Sequence, residues 1–252
     1  MHILLANDDG YDAPGLAILA EALQAQHHKI TTVAPRENKS GCGMGLSLRR
    51  SVDVEQTSPR NFVVDGTPAD CIYIGLNNLI DEPVDLVISG INNGPNLAND
   101  ILYSGTFAAA MEARYLPIPA IAMSITERNV KHYETAARLA VDLSNSISQL
   151  AFKSLIAVLN VNLPDVPMMD LRGYKATLMG DRHEPLAPIR KSGDLKKGTY
   201  IAGPAGDFVR RKRNKMQDFE AVDQGYASIT PFSTRFEDSA YVDDVQKWLD
   251  NL

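Results

Sequence analysis

His2-Ile3-Leu4-Leu5-Ala6-Asn7-Asp8-Asp9-Gly10 is the stretch that decides how this chain folds. Ile3, Leu4 and Leu5 form an unbroken apolar run, the pattern of a strand buried on both faces of a parallel sheet. The run stops on two adjacent acids. Neighbouring carboxylates repel, and placing two at a strand end is unfavourable unless a cation sits between them. In open α/β sheets the carboxyl ends of the strands are where ligands bind. Asp8 and Asp9 therefore read as the start of an oxygen-lined metal site. Taken alone, Asp-Asp-Gly is more often a plain tight turn.

Outward from this strand, apolar runs alternate with helical spacing through about residue 162. Pro14–Gln26 has Leu16, Leu19, Ala20 and Leu23 on one stripe, with Pro14 in the first turn. Lys29–Ala34 reads as a strand ending at Pro35, and Arg36–Leu46 as a loop rich in Gly and Ser. Ser51–Glu55 and Asn61–Val64 read as a strand pair. Thr67–Leu79 reads as a helix capped by Thr67 with Pro68 at its first position. Val84–Ser89 is a buried strand, followed by a polar loop, Gly90–Tyr103, and a helix from Ser104 to about Tyr115. Ile118–Ser124, the long helix Val130–Leu150 and the strand Leu155–Val161 complete the alternation. Alternating β and α predicts an α/β fold, a doubly wound, mostly parallel, Rossmann-like sheet over residues 1–164. Past Pro164 the rhythm is lost, and residues 165–252 read as a C-terminal extension. It would hold an arm, strands at Arg172–Leu178 and Ala221–Thr230, and a terminal helix, Asp243–Leu252.

The 252 residues carry a net charge of −6, with 44% hydrophobic and 22% charged residues. That suits a globular protein with an ample core and speaks against general nucleic-acid binding, which needs a basic face. The two cysteines, Cys42 and Cys71, form no CxxC pair, so zinc held by thiolates is not expected; free thiols suit a reducing compartment. No basic start with an apolar run and no long apolar stretch suggests a secretory signal or a membrane span, so the expected location is cytoplasmic. GxGxxG after the first strand, GxxxxGK[ST] and GxSxG are all missing. A phospho-acceptor signalling domain also carries an acid pair after its first strand, but needs an acceptor Asp at the end of a central strand. Here VDLVIS ends in Ser89-Gly90. Arg210, Arg211, Lys212, Arg213 and Lys215 read as a solvated run or, less readily, a polyanion contact. His183 could reach an active site from the arm.

Three loops leave strands on what should be one sheet edge: Asn7–Gly10, Asn38-Lys39-Ser40-Gly41 and Gly90–Asn96. Their carboxylate, hydroxyl and amide oxygens, with no Cys or His among them, favour a hard cation such as Mg²⁺, Mn²⁺ or Ca²⁺. The proposed ligands are Asp8, Asp9, Ser40 and Asn92. Ser104-Gly105-Thr106 opens an Ala-rich helix whose free amides and dipole suit a phosphate, with two hydroxyls beside them.

These pieces resemble the SurE (survival protein E) family of metal-dependent nucleotidases. The resemblance is carried by ILLANDDGYDAPG at 3–15, VAPRENKSG at 33–41, GTPADC at 66–71, SGINNGPNL at 89–97, YSGTFAAAMEAR at 103–114 and GYASITP at 225–231. It implies hydrolysis of nucleoside 5′- and 3′-monophosphates with a divalent cation, Mg²⁺ or Mn²⁺, held by Asp8, Asp9, Ser40 and Asn92. It implies phosphate contacts from Asn96, Ser104, Gly105 and Thr106, and a homodimer or homotetramer built by exchange of C-terminal elements. In the scheme expected from these residues, water attacks the phosphoryl group directly, Asp8 takes its proton and Asp9 stays a ligand. Exopolyphosphatase activity and a non-catalytic nucleotide- or phosphate-sensing module are the alternatives.

Overall fold

The computed structural model describes residues 1–150, 156–184, 186–193, 197–201, 206–235 and 239–250. The first strand, β1 (His2–Ala6), is buried along its whole length. Ile3 and Leu5 point into one apolar layer, with Leu16, Leu19 and Leu23 of α1 (Pro14–Gln24) and Leu139 and Ala140 of α4 (Tyr133–Ser146). Leu4 and Ala6 point into the other, with Cys71 and Ile72 of α2 (Pro68–Ile74) and Phe107, Ala109 and Ala110 of α3 (Gly105–Glu112). Two faces buried under helix pairs explain why the strand lacks alternation.

The central strands run parallel in the order β2 (Lys29–Pro35), β1, β5 (Leu86–Asn93), β6 (Ala120–Ile125), β7 (Val158–Leu163). On the far side of β2 lie β4 (Asn61–Val64), parallel to it, and β3 (Val54–Ser58), antiparallel to β4. From β1 the chain builds outward through β2 and β4, then returns to place β5 on the other side of β1. The topological switch therefore falls between β1 and β5, where such sheets open a crevice.

The α/β fold and its mostly parallel sheet are as expected, with shifts in particular elements. β5 does not stop at Ser89. It continues to Asn93 through a break in register between Ser89 and Asn92, so Asn92 stands on the end of a strand rather than in a free loop. Gly90 permits this: it has φ +141°, and a Cβ there would lie 2.4 Å from the Met123 carbonyl oxygen. Ala98–Tyr103, expected as loop, makes 3₁₀ turns. The helix begun at Thr67 is α only to Ile74 and widens over Gly75–Leu79, while α4 gives way to a 3₁₀ turn at Ile147–Gln149. β3 lies three residues later than expected. Of the strand expected at Leu155–Val161, Leu155 lies outside the described residues.

Past Pro164, β8 (Tyr174–Ala176) and β13 (Ala227–Phe232) extend the main sheet. β13 pairs antiparallel with β7 and parallel with β8. The strand expected from Ala221 begins only at Ala227. Residues before it form a short helix, α5 (Asp218–Asp223), whose start is tied by Glu220 accepting from the Gln217 N–H at 3.0 Å, a signal that the strand reading overlooked. Two small ribbons lie outside the sheet: β9 (Asp181–Arg182) with β12 (Phe208–Val209), and the hairpin of β10 (Ile189–Gly193) and β11 (Gly198–Ile201). The arginines of the basic run are ion-paired rather than set out for a polyanion. Arg210 meets Asp223 at 2.6 Å, and Arg211 and Arg213 meet Asp181 at 2.9 and 2.8 Å. The last helix, α6 (Val242–Leu249), is exposed along its length, Trp248 included. No helix among the described residues is long and apolar enough to cross a membrane.

Candidate active site

The loops after β1, β2 and β5 meet at the switch point, where a cavity of about 620 Å³ is lined by Asp8, Asp9, Ser40, Asn92, Asn96 and Ser104, among others. All four expected cation donors line it. Of the four expected phosphate residues, Asn96 and Ser104 line it, while Gly105 and Thr106 are buried behind. His183 is not among the lining residues.

Asn7, fully buried, braces the acid pair: its side chain donates to the Gly10 carbonyl at 2.7 Å and accepts from the Gly10 N–H at 3.3 Å. Asp9 then ties the three loops together. One of its oxygens accepts from the Asn38 side chain at 3.3 Å, the other from the Asn93 backbone N–H at 3.0 Å. The Lys39 N–H donates to the Asp8 carbonyl at 2.7 Å, and the Ser40 N–H to the Asn38 side chain at 2.9 Å, fixing the turn that presents Ser40. Asn92 donates its amide N–H to the Gly94 carbonyl at 2.8 Å, so the oxygen is the end of that side chain left for a ligand.

Asp8 is 4% exposed. Burial pushes its carboxyl up to about 6 and the charge of Asp9 adds to the rise, while the Thr106 hydroxyl pulls against it. Burial raises Asp9 as well, opposed by the Asn93 and Asn38 donors. Two acids raised together, one nearly sealed from water, fit a place where positive charge is to be supplied. The sulfur beside them is not suited to the role: burial, and then Asp8, push the Cys42 thiol up.

A chain of hydrogen bonds runs behind the cavity from β7 to Asp8. Asn160 and Asn162 of β7 both donate to the Asn96 carbonyl, at 2.8 and 3.0 Å, and Asn162 accepts from the Asn96 N–H at 2.8 Å. The Asn96 amide group donates to Ser124 Oγ at 2.8 Å and to Thr106 Oγ1 at 3.2 Å. Thr106, acceptor to Asn96, directs its single hydroxyl proton to Asp8 Oδ1 at 2.5 Å. Asp8 Oδ1 is thus held as an acceptor, and the backbone N–H groups of Thr106 and of Asp8 itself also favour the ionised carboxylate. With their polar hydrogens committed, the Asn96 and Thr106 side chains could reach a phosphate only by giving up one of these bonds.

Ser104 differs. Its oxygen caps α3 by accepting from the Phe107 N–H at 2.9 Å, leaving its own O–H to donate. Next to it Gly105 has no intrahelical partner for its N–H. It also packs closely on Asp8: a Cβ there would lie 2.7 Å from Asp8 Cβ and 3.0 Å from Cys42 Sγ.

Several working residues escaped sequence reasoning. Asn160 and Asn162 had a signal: two polar residues spaced by two inside an apolar strand share a face. Arg128, Arg182, Asp100 and Tyr103 also line the cavity, and no local pattern marks them.

The chain is similar in sequence and fold to known proteins. A family model described as Survival protein SurE matches residues 3–185. The 5′-nucleotidase SurE of Methylococcus capsulatus is 42% identical over 252 residues, covering 99% of this chain and 98% of that one. The 5′-nucleotidase SurE of Halorhodospira halophila is 40% identical, covering 100% and 99%. The crystal structure of the SurE protein from Aquifex aeolicus superposes with a TM-score of 0.85 at 34% identity, covering 99% of this chain and all of that one. With a family match over most of its length and relatives aligned from end to end, the chain belongs to the SurE family.

Proposed function

We propose that this chain is a phosphomonoesterase that hydrolyses nucleoside 5′- and 3′-monophosphates, with one Mg²⁺ or Mn²⁺ held by Asp8, Asp9, Ser40 and Asn92. One observation carries the reading: an oxygen donor set and the amide end of an Ala-rich helix share a single cavity at the switch point. The donors fit a hard divalent ion: two carboxylates with raised pKa, a hydroxyl and an amide oxygen lining one cavity. Bound there, the cation supplies Lewis-acid polarisation of the phosphoryl group and a lowered pKa for attacking water.

The rest falls to the chain. Asp8, anchored by the Thr106 hydroxyl and with its pKa raised by burial to about 6, is the carboxylate that accepts the proton of that water. Asp9 stays ionised as a ligand. Ser104 Oγ–H and the Gly105 N–H, at the positive end of α3, stabilise charge on the phosphoryl oxygens. Asn96 and Thr106 brace that end of the site against Asp8. A cavity of about 620 Å³ leaves room for a nucleoside beyond the phosphate. The assembly in this reading is a homodimer or homotetramer. α6 exposes Val245, Trp248 and Leu249, and the hairpin exposes Ile189, Tyr200 and Ile201, apolar surface that a second copy would cover. Free Cys42 and Cys71 accord with the cytoplasm.

The test is phosphate release from a panel of nucleoside monophosphates, with Mn²⁺, Mg²⁺ or a chelator. Release that tracks the added cation supports the enzyme. Nucleotide binding without release would make the chain a sensor instead.

A further inference from the structure

The segment between the expected phosphate residues Asn96 and Ser104 is gripped from outside by the C-terminal extension. The Ala98 N–H donates to Asp218 Oδ2 at 2.8 Å, and the other oxygen of that carboxylate accepts from the Gly180 N–H at 3.0 Å and the Phe219 N–H at 2.8 Å. Ala98 has φ +53°, a backbone state a non-glycine residue keeps only when its surroundings enforce it. Two residues on, Asp100 Oδ2 accepts from Arg182 Nε at 2.7 Å and lies 2.6 Å from Arg182 Nη2, while the Arg182 N–H donates to the Asn99 side chain at 3.0 Å.

The two grips form one unit. The Arg182 guanidinium lies 4.0 Å from the centre of the Phe208 ring, and its Nη1 donates to the Gly206 carbonyl at 2.9 Å. Phe208 stacks on Phe219 at 4.4 Å with the rings 3° from parallel. Phe219 is the neighbour of Asp218 in the chain. Asp100, Arg182, Phe208, Phe219, Asp218 and Ala98 thus close a bracket across the 3₁₀ turns that lead into Ser104. Arg182 borders the cavity, with one N–H on each of its three guanidinium nitrogens committed to Asp100 or Gly206 and its charge balanced by Asp100.

Resting on the function proposed above, we propose that Arg182 and Asp218 are positioning residues. Through residues 98–100 they set the phosphate-contacting end of the site and leave the cation donors alone. Asp8, Asp9 and Ser40 on their loops and Asn92 at the end of β5 are braced by Asn7, Asn38 and Asn93, and the Ser40 loop meets the bracketed turns downstream of residue 100, where the Gly43 N–H donates to the Tyr103 carbonyl at 3.1 Å. Phosphate affinity and cation affinity should therefore separate.

The experiment compares full-length wild type with Arg182→Ala, Arg182→Lys, Asp100→Ala, the Arg182→Ala/Asp100→Ala double variant and Asp218→Asn. Mn²⁺ binding is followed by electron paramagnetic resonance, and inorganic phosphate is the probe in saturating Mn²⁺, alongside KM and kcat. Arg182→Ala and Asp100→Ala should each weaken phosphate binding and raise KM by roughly tenfold, the range expected for a small misplacement of binding groups. Mn²⁺ affinity should stay within about twofold, the double variant should be no worse than either single one, and Arg182→Lys should recover part of the loss. Asp218→Asn, which keeps one acceptor oxygen, should fall between wild type and Arg182→Ala. Unchanged phosphate binding in the variants of an active enzyme overturns the bracket while leaving the function intact. So do equal losses of Mn²⁺ and phosphate, or opposite effects of Arg182→Ala and Asp100→Ala, which would place Arg182 on the ligand itself. A wild type that neither binds phosphate nor releases it overturns the parent function, and the bracket's role with it.

Discussion

Replacing Asp8 by Asn should stabilise the cation-free protein while destroying its activity. Asp8 is 96% buried and its carboxyl titrates near 6 rather than at the ordinary 3.8. Ionising it in the native state is thus harder than in the unfolded chain by about two pH units, or about 3 kcal/mol at 1.36 kcal/mol per unit. At neutral pH that penalty is fully present; an Asn of the same shape removes it and still accepts from the Thr106 hydroxyl. For a chain of this size the gain corresponds to roughly 6–12 °C in melting temperature. Between 6 and 3.8 the native state keeps a proton that the unfolded chain has lost. The variant's advantage should accordingly fade as the pH falls through this window and be gone below it. Thermal melts in chelator across the window measure it. Added Mn²⁺ should raise the melting temperature of wild type by mass action, and that of the variant far less. A variant less stable than wild type in chelator at neutral pH, or one that gains as much from Mn²⁺, would refute the assignment of Asp8 as a buried charge awaiting a cation.

Other perturbations separate the parts of the site. Gly105→Ala forces a methyl against Asp8 and Cys42, so turnover should fall by about a hundredfold while circular dichroism stays native; normal kinetics would show that α3 can retreat from Asp8. Ser104→Ala removes the cap of α3 and a phosphate donor. It should cost about 1 kcal/mol in denaturant unfolding and raise KM, and an unchanged KM would leave Ser104 as a cap alone. Asp70 is buried, which pushes its carboxyl up, but donors from Ser47 and Thr67 outweigh this and hold it below the ordinary value. Its stabilisation is present above 3.8 and is lost as the pH falls through the lowered native value; Asp70→Ala should cost about 2–3 kcal/mol at neutral pH, and a wild-type unfolding midpoint would contradict this. Trp248→Glu on the exposed face of α6 should reduce the mass seen by light scattering, and an unchanged mass would move the subunit contact elsewhere.

What could be read in the sequence was local. Ile3-Leu4-Leu5 announced a strand buried on two faces, and Thr67 and Ser104 stood as caps where the structure places them. The acid pair, Ser40 and Asn92 could be brought together on paper because parallel strands deliver their loops to one edge. What escaped was set by distant partners. β5 runs on through Gly90 because Met123 of β6 admits a glycine there, although Gly-Ile-Asn-Asn reads as loop in isolation. The commitment of Asn96 and Thr106 depends on Asn162 and Ser124, tens of residues away. Asp218 reaches Ala98 across 120 positions, a pairing that no spacing rule anticipates.

The central claim is that oxygens from three loops hold one hard cation beside the start of α3. Crystals grown in Mn²⁺ and measured at a wavelength where manganese scatters anomalously test it directly. The account predicts a single peak with oxygens of Asp8, Asp9, Ser40 and Asn92 around it at about 2.0–2.4 Å. An active enzyme whose peak lies elsewhere, with these four side chains bound to nothing, would contradict it.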